Sequence, residues 1–190
     1  MPLKVTFELS DTDLRHFRKI MREARSRAKH SDEGTLVASA RQLLAHVKEA
    51  QVPDFVRARL LQLETMISML EDTEWDLKGV DRDRVTSALA YFDEPLDLIP
   101  DHVPGFGFLD DAVMVELVVR ELKHDIEAFE DFCTYRREEE KRRGKESDVT
   151  RAQWIGAKRR QLHYRMRRRR QRTRRSRATP GRGRTPFSLW

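Results

Sequence analysis

A single cysteine, Cys133, rules out a disulfide within the chain and sets aside the disulfide-stapled class of small secreted domains. A reducing, cytoplasmic setting is the expectation. No apolar run approaches the eighteen or more residues of a membrane span, and the first residues have no apolar core of a secretory signal, so neither feature is expected. Glycine and proline are scarce, 8 and 7 in 190 residues, while 37% of the chain is charged, which favours helices over sheets. Gly-rich phosphate loops, CxxC pairs, HExxH and GxSxG are all missing. The expectation is a non-enzymatic protein without a cofactor. His16, His30, His46, His124 and His163 fall at no ligand spacing and read as surface or partly buried side chains.

What the chain does have is charge, unevenly placed. Residues 141–190 hold 19 Lys or Arg against two acids, Glu146 and Asp148, a net +17; the formal +6 of the whole chain leaves −11 for residues 1–140. An acidic body fused to a basic tail points to a polyanionic partner for the tail.

Within the body, apolar residues recur at helical spacing. After an alternating Val5, Phe7, Leu9 segment, Ser10 to Asp13 reads as a capping box ahead of a helix carrying Leu14, Phe17, Met21, Ala24 and Ala28. A second helix spans Leu36 to Ala50. Pro53 suits the first turn of a third, which runs to Leu70 and is apolar on more than one face. A connector holding Trp75 leads to a fourth, through Val85, Leu89 and Phe92. The longest helix runs from Asp111 to Arg143, with Ala112, Val115, Val119, Leu122, Ile126, Phe129 and Cys133 in a three-four stripe. That stripe suits one side of an intramolecular bundle, or the seam of a homodimer.

Between the last two helices lies a turn rich in Pro and Asp. Pro95 disfavours helical dihedrals at Glu94 and should stop the incoming helix, while Pro100 and Pro104 fix further φ angles. Asp110 or Asp111 falls where a carboxylate would cap the outgoing helix. Asp97 and Asp101 read as turn caps; the alternative is that Asp97, Asp101, Asp110 and Asp111, with His102, gather on a divalent cation. Leu96, Leu98, Ile99, Val103, Phe106, Phe108 and Leu109 would make a large exposed patch, so the turn is expected to fold back on the helices or to meet a protein partner.

The pattern Pro95, Asp97, Pro100, Asp101, Pro104, Gly107, Asp110, Asp111 resembles the signature of the YkvA-like family, a small bacterial domain of unknown function; the resemblance covers roughly residues 85–129. It implies a helical hairpin and brings no established chemistry. Some members look membrane-associated because their hairpin helices are nearly all apolar. Here Glu116, Arg120, Glu121, Lys123, His124 and Asp125 stand on the second helix, so it should not cross a bilayer.

In the tail, Ser147 or Asp148 can cap a helix through Arg151, Trp154, Lys158, Arg159, Arg160, His163, Tyr164 and Arg165. The arginines that follow, Arg167, Arg168, Arg169, Arg170, Arg172, Arg174 and Arg175, should repel one another and leave that stretch disordered in isolation. Arginine outnumbers lysine, and guanidinium groups pair bidentately with phosphate and stack on bases, so RNA or DNA is the favoured partner. Trp154, His163 and Tyr164 are candidate stacking surfaces. Two other readings compete: the tail docks on the acidic body, or it meets any polyanion, acidic lipid included.

The sequence thus describes an all-α helical bundle. It divides into an N-terminal helical region (1–80), a hairpin around the Pro/Asp turn (81–140) and a basic tail (141–190), helical in part and then disordered. Its expected role is that of a scaffold whose tail holds nucleic acid. The alternatives are a metal-binding protein or metal enzyme using the turn, and a peripheral membrane adaptor.

Overall fold

A computed structural model describes residues 8–28, 31–50, 52–93, 99, 103, 107–143 and 148–178. They form an all-α bundle: α1 (Asp11–Arg27), α2 (Glu33–Glu49), α3 (Asp54–Leu60), α4 (Gln62–Glu71), α5 (Gly79–Leu89), a 3₁₀ turn (Ala90–Asp93), α6 (Leu109–Arg143) and α7 (Asp148–Ala178). Val5 and Phe7, most of the Pro/Asp turn and the end of the tail lie outside the described residues.

The helix starts follow local chemistry. Ser10 and Asp13 form the expected capping box, each side chain meeting the other's backbone N–H, and Asp32 accepts from the Gly34 N–H to start α2. The single third helix read from the sequence is instead two, α3 and α4. They join at Leu61, where the Glu64 N–H reaches the Leu61 carbonyl at 3.1 Å, a three-residue bond that tightens the turn. In the connector, Asp72 accepts from the N–H groups of both Glu74 and Trp75 at 2.9 Å, and this turn drives the Trp75 ring into the core.

Helix α6 is the axis of the bundle. Its stripe through Ala112, Val115, Leu122, Ile126 and Phe129 is buried, and the helix packs on α3, α4 and α7. Cys133 sits half-buried against the core, and burial holds its thiol above the ordinary value, as suits a small packing residue.

The hairpin turn is described only at its exit. Phe108 adopts φ 64°, and its ring is buried, so the strain of a left-handed bulky residue is held by packing. The helix begins earlier than the sequence suggested, at Leu109 rather than at Asp110 or Asp111. Both aspartates therefore lie within its first turn, buried, and neither is the residue preceding it. Asp110 reaches back to accept the Ile99 N–H at 3.2 Å, tying the turn to the helix.

The larger departure is α7. The stretch after Arg165, expected to be disordered in isolation, is helix as far as Ala178 and lies along α6, the arrangement of the competing reading in which the tail docks on the body. Ile155, Leu162 and Met166 put an apolar strip into the core, and the arginines on that side find carboxylates of the body. Repulsion within the segment, the basis of the expectation, is answered by charges elsewhere in the chain.

Candidate polyanion-binding face of helix α7

Because Ile155, Leu162 and Met166 point inward, the periodicity of the helix assigns every other side chain of α7 to a face. The inner flank carries two ionic clusters. In one, Glu74 accepts from Arg151 on α7 and from Arg136 on α6, both at 2.9 Å, while Arg136 also pairs with Asp72 at 2.8 Å. Burial alone would raise the Glu74 carboxyl, but hydrogen bonds from Arg151 and Arg136 outweigh it and hold the group below its ordinary value.

In the other cluster, Arg170 bridges two buried aspartates. It donates to Asp125 of α6 at 2.8 Å and, with its other terminal nitrogen, to Asp81 of α5. Arg167 adds a second bond to Asp81 at 2.8 Å. Desolvation works against both carboxylates. At Asp81 the two arginines prevail and the carboxyl is lowered; at fully buried Asp125 desolvation prevails and the carboxyl is raised.

The ring candidates separate in the same way. His163 stands against Trp75 in the core, and Trp154 packs on Tyr135 with Arg143 and Arg151 at its face. Neither is placed to stack on a base. Tyr164 is 67% exposed.

Among the arginines read from the sequence, Arg159 pairs with Asp76 at 3.2 Å, Arg165 with Asp131, Arg169 with Glu127 at 2.9 Å, and Arg167 and Arg170 with the buried aspartates. Arg160, Arg168 and Arg172 point outward and make no ion pair among the described residues. With Tyr164 and Arg175 they stand at successive spacings of four, four, four and three, an exposed stripe along one side of α7 with about 6 Å of rise between neighbours. The sequence alone did not divide these arginines into anchors and free groups. The division follows from the phase of Ile155, Leu162 and Met166, a sparse signal in so polar a segment.

Of the turn candidates, Gly107, Asp110 and Asp111 are buried, and Pro95, Asp97, Pro100, Asp101 and Pro104 lie outside the described residues. Among the described residues no group of three or more His, Cys, Asp or Glu side chains is placed to hold a metal ion, and no helix is long and apolar enough to cross a membrane.

Comparison with known proteins adds two findings. The family model "Protein of unknown function (DUF1232)" matches residues 84–117, which cover the second half of α5, the turn and the start of α6. The "Uncharacterized membrane protein YkvA" of Bacillus subtilis (strain 168) is 34% identical over 74 residues, 36% of this chain and 68% of that protein. No solved structure gives a significant match.

Proposed function

Taking as premise that the chain belongs to the YkvA-like, DUF1232 family, we propose that it is a non-enzymatic helical scaffold that holds nucleic acid on the outer stripe of α7. The observation that carries this reading is the contrast between the two sides of one helix. The inner arginines are spent on Glu74, Asp76, Asp81 and Asp125, and this fixes the helix; Arg160, Arg168 and Arg172 are left with exposed, unshared guanidinium groups beside Tyr164. A row of unshared arginines on a helix already fixed to the body is a ready phosphate-binding surface, since no backbone order has to be found and no ion pair has to be broken on binding. It offers no base-reading element, so the contacts are to the backbone and sequence preference is weak.

Docking of α7 also sets the scale. A fully free tail could meet six to ten phosphates; the stripe offers three or four. Affinity for a single strand should then fall only about 20- to 50-fold between 50 and 200 mM salt. The test is fluorescence anisotropy of the full chain with a labelled RNA oligonucleotide across that range. Replacing Arg160, Arg168 and Arg172 together with Ala should lower both affinity and salt slope. Unchanged binding in that triple variant sinks the proposal.

A second reading has one observation behind it, the word "membrane" in the name of the Bacillus relative. The same stripe would meet anionic lipid headgroups, making the protein a peripheral adaptor. Flotation with vesicles containing phosphatidylserine, with and without competing RNA, separates the two.

A further inference from the structure

At the end of α7 away from the Glu74 cluster, the start of α5, the middle of α6 and the last turns of α7 enclose a cleft of about 1010 Å³. Seven of its thirteen lining residues are Lys or Arg; two, Asp81 and Glu121, are acidic. We propose that this cleft binds a small molecule carrying several phosphate groups, of nucleotide size, and is a site separate from the outer stripe.

The cleft has the construction such a site needs. Asp81 and Arg170 line it, and Arg170 is also bonded to buried Asp125, so this part of the wall is fixed before any ligand arrives. Of the other cations, Arg120 is paired with Glu116 and Arg84 with Asp125, and the rest are held loosely or not at all. Arg174 makes no ion pair among the described residues. Lys123 lies 3.9 Å from Glu127 and is 66% exposed; Lys78 pairs with Asp76 but is 77% exposed. Arg167 is bonded to Asp81 through Nε, and more than half of its side chain faces solvent. Arg84, on the wall, has a buried Nε–H without an acceptor.

Of the carboxylates paired with these cations, Asp76 and Glu127 belong to exposed pairs, which contribute little, whereas Glu116 is largely buried and holds both Arg59 and Arg120. A phosphate offers more acceptors and more charge than the carboxylate it displaces, and binds Arg bidentately. The volume stands at the upper end of small-molecule pockets, too large for a lone phosphate. Val80, 74% exposed at the edge of the cleft, supplies an apolar surface for the part of the ligand that is not phosphate.

The phosphates could come from a free nucleotide or from a phosphorylated lipid headgroup, and the experiment separates these. The full chain is titrated calorimetrically with inorganic triphosphate and with a nucleoside triphosphate, and separately floated with vesicles containing a phosphoinositide. One-to-one saturable binding of at least one of these probes is expected. Replacing Lys123 and Arg174 together with Ala should weaken it at least ten-fold. Both side chains are exposed and lie outside the buried network, so the thermal melt of that double variant should match the parent. The Arg160, Arg168, Arg172 triple variant should bind as the parent does. Binding only to the vesicles, lost in the double variant, assigns the phosphates to a lipid. The proposal is overturned if no probe binds saturably, or if the stripe variant loses binding and the cleft variant keeps it.

Discussion

Trp75 and His163 meet at right angles in the core, ring centroids 4.2 Å apart, and this contact joins the tail helix to the body. Phe129 and Phe132 of α6 close the other sides of the indole. Neither Trp75 Nε1 nor His163 Nε2 has a hydrogen-bond partner among the described residues. The imidazole is therefore held in its neutral form. Burial is the main cause, the nearby charges of Arg167 and Arg159 add to it, and Asp81 and Asp76 oppose it; the pKa is pushed down to about 4.

A pH dependence follows. The unfolded chain takes up a proton at His163 near pH 6.5, and the folded chain resists until about 4. The stability this residue contributes is complete above pH 6.5 and is lost as pH falls through that window. Between pH 6.5 and 5 the loss should be about 1.5 kcal/mol. Urea denaturation at the two pH values measures it, and His163→Leu should remove most of the difference. An equal slope in the variant would place the titration elsewhere.

Arg170 supports two buried carboxylates at once, so its removal should cost more than that of any outer arginine. Arg170→Ala leaves Asp125 fully buried and without its closest partner, and should destabilise by about 3–5 kcal/mol. Adding Asp125→Asn to that variant should recover part of the loss, because the stranded carboxyl is gone. Denaturation of the single and double variants decides it; independent, additive losses would mean that the pair is not coupled.

The bundle was legible where apolar spacing is dense. The capping box at Ser10 and the stripe of α6 follow from local pattern; the fourth helix, read through Phe92, ends as α-helix at Leu89 and continues as a 3₁₀ turn. The join at Leu61 was not legible, because residues 56–70 are apolar on several faces and carry no breaker. The docking of α7 was hidden for a different reason. Its contacts pair Arg151 with Glu74 and Arg170 with Asp81 and Asp125, across 77, 89 and 45 positions, and sequence spacing says nothing about pairing at that range. Asp125 shows the same limit: it counted as one of the charges that keep α6 out of a bilayer, and it proves to be fully buried, answered by Arg170. Of the candidate site, the residue types were readable and their division into anchors and free groups was not.

Gly79 opens α5 at φ +53°, and an added Cβ would meet nothing within 4 Å. The cost of Gly79→Ala is then backbone strain alone, about 1–2 kcal/mol. Gly79→Asn should cost less, since Asn tolerates the left-handed region. Thermal melts of the two variants check the order; an Ala variant as stable as the parent would show that the turn relaxes.

Asp110 holds the Ile99 N–H from within the first turn of α6. Asp110→Ala should lose about 1–3 kcal/mol by leaving that donor without its acceptor. Added magnesium, manganese or calcium should leave the parent's melting temperature unchanged. A rise with one of these ions, abolished by Asp97→Asn, would favour the metal reading of the Pro/Asp turn.

Tyr164 separates stacking from simple charge attraction at the stripe. Its ring is 67% exposed between Arg160 and Arg168, one turn from each, with a free face for a base. Unpaired bases can reach it; bases stacked inside a duplex cannot. Tyr164→Ala should therefore weaken binding to a single-stranded oligonucleotide by about 1–3 kcal/mol and leave a duplex of equal charge unaffected. Trp154→Ala is the control: this ring packs on Tyr135, so the change should lower stability and leave single-strand preference as it is. Anisotropy titrations with both oligonucleotides at fixed salt provide the measurement. An equal loss for the two strands would mean that Tyr164 only spaces the arginines, and no loss at all would leave phosphate contact as the whole of the interaction.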